Sequence, residues 1–478
     1  VQGILAIPVL YGFAALVFSS PVYAPFMPSI AKVFMCSSAV HAAAVAALST
    51  LPYAIGQVQD AGLLFFCRMA TDIAARMSGA PPEAVAATAL VAIATSTVLV
   101  GLSLICIGKM RLANLVAYVP MPVFGGYLAF IGLFCIEAGL SLTSGEGING
   151  LGTWYLLVQS KQTVILVVTA LFTGGCLCWV ARNLDTMVLP ACICVIPGLF
   201  YATLYFTNTS MDDARKHGWL GQEHTPGHWE NVFEMYDFSL VDWSVLPYQL
   251  PCLVTMIIVI TFGSTMDVAA VEMGTGVPMN ADEQLVTIGL SNVIAGSAGG
   301  FAGSYIFTQT LLGFKSKFRY RSVGFVLAGL QFAIFLCSFD PLCSIPLFFF
   351  ASTIIFIGID LLLEWVWEVR SKLALGEYLV LLATFAAVVA FGMDMGFVLG
   401  VVAATVNFVC EYTLSTRDNS SRYVVNITSR MRSMHLRKPG HRTLKQHFGA
   451  IRTLELHGSI FFGSAAGVLS DIVDACAI

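Results

Sequence analysis

The chain has 478 residues, of which 57% are apolar and only 11% are charged. Soluble globular proteins are about 45–50% apolar and about 25% charged, so this composition excludes a soluble enzyme, a disordered chain and a fibrous protein. The net charge of −4 offers no basic excess for nucleic-acid binding, and no nucleic-acid partner is expected. The sequence predicts a protein with many membrane spans, whose main partner is the lipid bilayer.

Fourteen apolar segments are candidates for membrane spans, each of which takes roughly 20 residues. They are 3–19, 23–48, 53–75, 84–108, 112–140, 163–181, 187–206, 249–268, 284–297, 300–314, 322–339, 341–362, 377–393 and 395–412. A polar, acidic stretch at 207–248 divides them into seven and seven. We expect an all-α membrane transport domain over 1–412 and a polar tail over 413–478. Because the chain begins at Val1 and ends in an apolar run at Ile478, we expect a fragment of a longer protein.

Basic residues favour one orientation of these segments. If the N-terminus is cytoplasmic, loops on that side carry more Lys and Arg than the opposite loops, as the positive-inside tendency requires. The cytoplasmic set is Lys109, Arg111, Arg182, Lys315, Lys317, Arg319, Arg321, Arg370 and Lys372. The C-terminus is then cytoplasmic too, and the sequon at Asn208 lies on the opposite side. The sequence does not distinguish a plasma membrane from a vacuole-like membrane.

The third segment of each set of seven is interrupted. Residues 53–59 alternate as an extended strand does, and Asp60 is predicted to cap a helix that runs from Ala61 to about Met77. Around the start of the tenth segment, within 292–314, glycines at 296, 299, 300 and 303 interrupt the apolar run before a polar run at 308–310. Non-helical backbone at membrane depth is tolerated only where protein buries it or it lines a cavity. Interrupted segments at corresponding positions of two halves therefore point to a transporter's binding site.

Motifs of enzymes and of ATP-driven pumps are not found in the sequence. It has no Gly-x-Ser-x-Gly elbow, no His-Glu-x-x-His and no Walker lysine, so we expect no enzyme activity, no catalytic residues and no cofactor. The 13 cysteines are scattered through apolar stretches without the spacing of a metal site, so no metal is expected.

Several stretches resemble the SulP (sulfate permease) family, in the order in which that family has them. Residues 119–127 (VPMPVFGGY) resemble its fifth span, residues 282–305 its ninth and tenth spans, and residues 391–400 its last hairpin. Residues 452–464 (RTLELHGSIFFGS) resemble the beginning of the STAS domain that follows the membrane part. Residues 54–62 (AIGQVQDAG) look most like the fungal vacuolar branch, which is linked to basic amino acids.

This resemblance implies a seven-plus-seven inverted repeat, followed here by the start of an α/β STAS domain. Spans three and ten would be half-helices after extended segments, with a central substrate site between them. The resemblance also implies a homodimer, formed through STAS and the membrane domain. The main hypothesis that follows is secondary-active transport or exchange of a small inorganic anion such as sulfate.

The resemblance places the substrate at the facing N-termini of the two half-helices, whose dipoles favour an anion. The candidate substrate-binding residues are Gln57, Gln59, Asp60, Ala61, Gly62, Ser264, Asp267, Thr308, Gln309 and Thr310. The sequence departs from the common family pattern here. Many members carry a Ser-Arg pair at the start of span ten, where this chain has the neutral Thr308-Gln309, and a Glu before a Ser in span eight, where it has Gly263-Ser264.

The acids at this site leave alternatives open. Carboxylates inside a membrane are costly, so Asp60 and Asp267 are candidates for a function: each could bind substrate or a coupling proton. Alternatively, Asp60 serves only as a helix cap and Asp267 only as a residue that faces the helix bundle. One alternative function is proton-coupled transport of basic amino acids into a vacuole-like compartment. A second is a non-transporting membrane sensor or motor, as known within this superfamily.

Overall fold

The computed structural model describes residues 2–113, 120–148, 150–184, 188–221, 229–315, 319–337, 344–417, 424–428 and 453–457. Seven long helices precede the polar stretch: α1 (Gln2–Val17), α2 (Met27–Leu48), α3 (Asp60–Arg76), α4 (Pro82–Lys109), α5 (Met121–Ser144), α6 (Lys161–Asn183) and α7 (Val188–Phe206). Two short helices lie within it, α8 (Met211–Lys216) and α9 (Glu230–Glu234). After it come α10 (Leu250–Thr275), α11 (Ala281–Ser297), α12 (Phe307–Lys315), α13 (Ser322–Leu336), α14 (Leu347–Leu362), α15 (Leu375–Phe391) and α16 (Met393–Arg417).

Every predicted apolar segment contains one of these helices. In the described residues, 7 helical stretches are long and apolar enough to cross a membrane, and shorter apolar helices lie at Ala6–Val17, Ser322–Leu336, Leu375–Phe391 and Met395–Glu411. The described part is therefore a helical membrane protein, as its composition predicts. The count of fourteen spans stays a prediction.

Helix packing repeats between the two halves. Helices α4 and α11 pack together, and so do α2 and α13. These helices lie in predicted segments four and nine, and in segments two and eleven, so a shift of seven segments turns the first pair into the second. The same shift relates the packed pair of α5 and α15 to that of α14 and α6. This packing supports the predicted seven-plus-seven repeat.

Glycines let the central helices approach closely. A Cβ atom on Gly101 of α4 would lie 2.6 Å from the carbonyl oxygen of Gly289 in α11, and one on Gly289 would lie 2.7 Å from that of Gly101. Gly132 of α5 and Gly358 of α14 stand in the same reciprocal relation, at 2.8 and 2.5 Å. Lipid provides no hydrophobic driving force between helices, so they associate through van der Waals packing, which small residues at such crossings allow.

Two short strands interrupt the bundle and pair with each other. Strand β1 (Gly56–Val58) is antiparallel to β2 (Gly303–Tyr305), with Gln57 opposite Ser304. Backbone bonds continue beyond both ends of this ribbon, from Gln59 N to Ala302 O at 3.1 Å and from Ile306 N to Ile55 O at 2.9 Å. Each broken segment thus supplies hydrogen-bond partners for backbone groups of the other, which is necessary in the interior of a membrane because no water is available there.

Gly299 and Gly300 follow the end of α11, at the predicted interruption of the apolar run. Gly299 has a φ of +84°, a left-handed conformation that favours glycine, and Gly300 N donates to Ala295 O at 2.7 Å. Gly303, the first residue of β2, packs closely against β1 and α2. A Cβ there would be 2.5 Å from Gln57 O and 2.7 Å from His41 Nε2. Only a residue without a side chain fits this close approach.

The C-terminal region has a different architecture. Helix α16 ends at Arg417, beyond the predicted boundary at 412. Strands β3 (Val424–Thr428) and β4 (Thr453–His457) then pair antiparallel, with Val424 opposite His457. Strand β4 lies in the stretch that resembles the start of STAS, and the rest of that stretch, 452 and 458–464, lies outside the described residues. The assignment of 413–478 to a linker and a STAS domain stays a prediction.

The close approach of α4 and α11 makes a prediction about Gly101. We expect Gly101→Ala to lower the midpoint of thermal unfolding in detergent, because overpacking against backbone costs about 1–3 kcal/mol. The matched control is Gly329→Ala on α13, whose Cβ would meet nothing within 4 Å. That change should leave the midpoint unchanged or raise it, since alanine favours helix over glycine. Equal midpoints for the two variants would contradict this packing.

Candidate functional site

Both half-helices begin at the β1–β2 ribbon. Helix α3 starts at Asp60, directly after β1, and α12 starts at Phe307, directly after β2. Because the strands are antiparallel and each helix follows its strand, the two N-termini lie at opposite ends of the ribbon. Each N-terminus is equivalent to about half a positive charge. The ribbon therefore carries two positive dipole ends.

Asp60 lies at the first of these N-termini, although not as its cap. Gln59 is the N-cap residue, with extended backbone at φ −91° and ψ 139°, so the predicted cap at Asp60 is wrong by one residue. Asp60 is the first helical residue, and its Oδ1 accepts a hydrogen bond from Ala61 N at 2.8 Å. Its carboxylate is half-buried and directly offsets the positive end of α3.

A second carboxylate, Asp267 of α10, lies beside the ribbon. Its Oδ2 accepts a hydrogen bond from Gln59 Nε2 at 3.3 Å, and Ser304 Oγ lies 3.5 Å away. Ser304 Oγ also donates to Ser264 Oγ at 2.9 Å, which ties β2 to α10. Asp60 follows Gln59 directly in the chain, at the same end of the ribbon. Four of the predicted site residues thus come together here.

Three glutamine side chains lie along the ribbon. Gln309 Nε2 donates to Gln57 Oε1 at 3.2 Å, which links the start of α12 to β1. The opposite ends of two of these amides, Gln57 Nε2 and Gln59 Oε1, make no hydrogen bond within the described chain, although the two residues are only 4% and 5% exposed. Buried polar atoms without a partner are costly and call for a ligand or water.

Glycine at 263 leaves room next to these amides. A Cβ on Gly263 would lie 3.0 Å from Gln59 Nε2 and 3.9 Å from the ring of Phe124. Ala61 and Gly62 are buried on the first turn of α3, and a Cβ on Gly62 would make only ordinary contacts, the nearest at 3.5 Å to Ile260. A bound solute would thus meet backbone on α3 and polar side chains on the ribbon and α10.

The threonines of α12 differ in their surroundings. The hydroxyl of Thr310 is buried and accepts a hydrogen bond from Ile55 N at 3.1 Å, so it completes the backbone bonding of the first broken segment. Thr308 is exposed. The structure therefore gives Thr310 a supporting contact with the ribbon rather than a free hydroxyl.

The described elements that form the site carry no positive side chain near the ribbon. Lys, Arg and His are absent from β1, β2 and α10, and from the first two turns of α3 and α12. Arg76, at the far end of α3, is ion-paired with Asp72 at 2.7 Å and lies over the Tyr248 ring. The two carboxylates are thus the only full charges on these elements next to the ribbon.

Sequence reasoning missed the side chains that hold the ribbon in place. His41 Nε2 donates to Phe301 O at 2.8 Å, and Ser37 Oγ accepts from Phe301 N at 2.9 Å. Asn292 bonds both backbone groups of Gly303, donating to its carbonyl at 2.7 Å and accepting from its amide at 2.9 Å. The available signal was polar residues inside the apolar helices α2 and α11.

Comparison with known sequences agrees with this architecture. The sequence profile described as the sulfate permease family matches residues 1–384. The vacuolar basic amino acid transporter VSB1 of Saccharomyces cerevisiae is 23% identical over an alignment of 420 residues, which covers 84% of this chain and 40% of the yeast protein. The bicarbonate transporter BicA of Picosynechococcus is 24% identical over an alignment of 413 residues, which covers 82% of this chain and 67% of that protein. The chain thus spans about two fifths of the length of its yeast relative.

Solved structures share the fold. The transmembrane domain of a cyanobacterial bicarbonate transporter BicA superposes with a TM-score of 0.58 at 17% identity, covering 84% of this chain and 97% of that one. The murine anion transporter Slc26a9 in the inward-facing state superposes with a TM-score of 0.62 at 13% identity, covering 92% and 70%. At such identities, the similarity shows a common membrane-domain fold.

The contact between Thr310 and Ile55 predicts unequal effects of two threonine substitutions. We expect Thr310→Val to lower the midpoint of thermal unfolding, because a buried backbone amide that loses its acceptor costs about 1–3 kcal/mol. Thr308→Val, an identical change two residues away at an exposed position, should leave the midpoint unchanged. A Thr310→Val protein as stable as Thr308→Val would show that this hydroxyl does not support the ribbon.

Proposed function

Because this chain belongs to the sulfate permease family, we propose that it is a secondary transporter that carries a small ionic solute through the ribbon site between α3 and α12. The observation that carries this proposal is the meeting of two half-helix N-termini at one ribbon, next to buried amide atoms without partners. Broken helices at matching positions are how secondary transporters build sites at the bilayer midplane.

The charge at the ribbon decides which solute fits. The two N-termini supply about one positive charge in total, and two ionised carboxylates supply two negative charges, so the sum is about −1. With no Lys, Arg or His in β1, β2, α10 or the first two turns of α3 and α12, this balance favours a cation. A solute with an ammonium or guanidinium group and a carboxylate could place the first on Asp60 or Asp267 and the second on a free helix N–H.

A basic amino acid is therefore our first candidate, coupled to protons through the same carboxylates. This chemistry agrees with the yeast relative, which is a vacuolar basic amino acid transporter. Uptake of the cation in exchange for protons would keep the site close to electrical balance during each cycle. Gln57 and Gln59 would contribute their unpartnered amide atoms to the polar groups of the solute.

Transport of a small inorganic anion is the second candidate, favoured by the two helix N-termini and by the bicarbonate-transporting relative. Protonation of both Asp60 and Asp267 would change the sum to about +1, which suits an anion. In this case an anion would enter together with protons. The number of protons on the two carboxylates thus sets the sign of the preferred solute.

The remaining sequence predictions complete the proposal. We propose that residues 1–412 form the transport domain as a seven-plus-seven inverted repeat, and that 413–478 begin a STAS domain that contributes to a homodimer. Both termini would be cytoplasmic, which puts the polar stretch at 207–248 on the opposite side. A plasma membrane and a vacuole-like membrane both remain compatible with this arrangement.

Uptake of labelled arginine and labelled sulfate into proteoliposomes, with and without an imposed proton gradient, tests the proposal. We expect proton-dependent arginine uptake that Asp60→Asn and Asp267→Asn each reduce at least tenfold, since one lost charge-assisted contact is worth about 1.5–3 kcal/mol. The matched control is Asp72→Asn, at the far end of α3, which should keep the preference for arginine over sulfate.

Three outcomes would contradict parts of this account. Sulfate uptake that survives both site substitutions would replace the cation candidate with an anion site in which helix dipoles act alone. Arginine uptake insensitive to Asp60→Asn and Asp267→Asn would place the substrate elsewhere. Charge movement across the membrane without flux of either solute would identify a sensor or motor instead of a transporter.

A further inference from the structure

The segment at 229–250, which we call the anchor segment, lies along one end of the bundle between α8 and α10. Its inward side chains join the protein core: Val232, Met235 and Val245 pack in the main core, and Val241 packs on Ala87 and Val91 of α4. The backbone is tied down too, since Asp242 N donates to Thr88 Oγ1 at 3.1 Å. The anchor segment therefore holds a fixed position on the bundle.

The outward face of the anchor segment is strongly aromatic. Phe233, Phe238, Trp243 and Tyr248 recur every five residues, and they are 65%, 62%, 56% and 62% exposed. Arg76 lies over the Tyr248 ring and Trp229 contacts the Phe233 ring, but all four rings keep more than half of their surface exposed. Large exposed apolar surface marks an interaction site, so these rings are suited to an apolar or interfacial partner.

Acidic residues share this face with the rings. Glu230, Glu234, Asp237 and Asp242 are all exposed. The Ser239 hydroxyl and amide lower the pKa of Asp237, and the Ser244 hydroxyl and amide lower the pKa of Asp242, so both stay ionised at neutral pH. Charged carboxylates that stay hydrated, next to aromatic rings that favour an apolar environment, are typical of the membrane–water interface.

The aromatic face continues into the side of the bundle that faces lipid. Leu250, Val254 and Ile258 follow on α10 at helical spacing and are exposed as well. Because α10 is one of the helices long and apolar enough to cross a membrane, these exposed side chains would face acyl chains in a bilayer. The rings of the anchor segment thus begin where that apolar surface ends.

The inner side of the anchor segment reaches the ribbon site. Tyr236 donates its hydroxyl proton to Gly299 O at 2.6 Å, and its ring covers the left-handed turn at Gly299. This turn joins α11 to β2, one strand of the ribbon. The Tyr236 side chain therefore connects the anchor segment, whose outer face would contact lipid, to the backbone at Gly299 that leads into the ribbon site.

We propose that the anchor segment lies in the membrane–water interface, with Phe233, Phe238, Trp243 and Tyr248 inserted among lipid headgroups, and that it holds the Gly299 turn through Tyr236. The partner is the bilayer surface itself. The acidic residues on the same face make a zwitterionic surface a better partner than an anionic one, because like charges repel.

Tryptophan fluorescence in vesicles tests the lipid contact. The signal lost in Trp243→Phe relative to the unchanged protein belongs to Trp243, and the same subtraction with Trp365→Phe reports a tryptophan buried against Phe124. We expect phosphatidylcholine brominated near the top of its acyl chains to quench the Trp243 signal, and aqueous acrylamide to quench it weakly. Neither quencher should affect the Trp365 signal.

Two results would overturn the lipid contact. Quenching of Trp243 by acrylamide without quenching by brominated lipid would show that the aromatic face is in water. A Trp243 signal that neither quencher reaches would show that another protein surface, such as a second copy of this chain, covers it.

Hydrogen exchange tests the link to the turn, and it does not depend on transport. In phosphatidylcholine nanodiscs, we expect Tyr236→Phe to increase amide exchange at residues 298–302, because local opening becomes easier without the bond to Gly299. Tyr205→Phe, the same change on an exposed tyrosine at the end of α7, should not alter exchange there. Equal exchange at 298–302 in both variants would separate the anchor segment from the ribbon site.

Discussion

The architecture depends on one constraint: in the interior of a membrane, every backbone amide and carbonyl must find a partner inside the protein. Two segments of this chain break their helices at membrane depth, and neither could do so alone. Strands β1 and β2 solve the problem by pairing with each other, and bonds at Ile55 and Gln59 extend the pairing beyond the strands. The N-termini of α3 and α12 then lie at the two ends of one ribbon, which creates a polar region in an apolar bundle.

This ribbon is held by side chains from helices that are themselves intact. His41, Ser37 and Asn292 bind the backbone just before and within β2, and Thr310 binds the backbone just before β1. Close glycine contacts between α4 and α11 keep the helix that carries Asn292 in position. The site can therefore expose partly unsatisfied glutamines and two carboxylates without losing its shape, because a rigid frame offsets their cost. On the function we propose, substrate selectivity depends on charge at the ribbon, where Asp60 and Asp267 oppose the helix dipoles.

The local features of this site could be predicted from the sequence, and its contacts could not. The alternation at 53–59 and the glycines from 296 to 303 indicate broken helices, because each pattern depends only on residues that are neighbours in the chain. The exact start of α3 was missed by one residue because a cap is defined by backbone angles, and an acidic residue suits the first turn as well as the cap. The bonds from Gln309 to Gln57 and from Gln59 to Asp267 join residues more than 200 positions apart, and no local pattern encodes them. The supporting polar residues in α2 and α11 could have been suspected from their cost in a membrane.

The central claim is that an acidic ribbon site binds a cation when its carboxylates are ionised. The most direct test is the thermal stabilisation of the purified protein by arginine and by sulfate across a range of pH, because a ligand that binds only the folded state raises its unfolding midpoint. The account predicts that arginine stabilises the protein at neutral pH, that this effect fades as Asp60 and Asp267 take up protons, and that sulfate has little effect at neutral pH. Stabilisation by sulfate but not by arginine at neutral pH would contradict it.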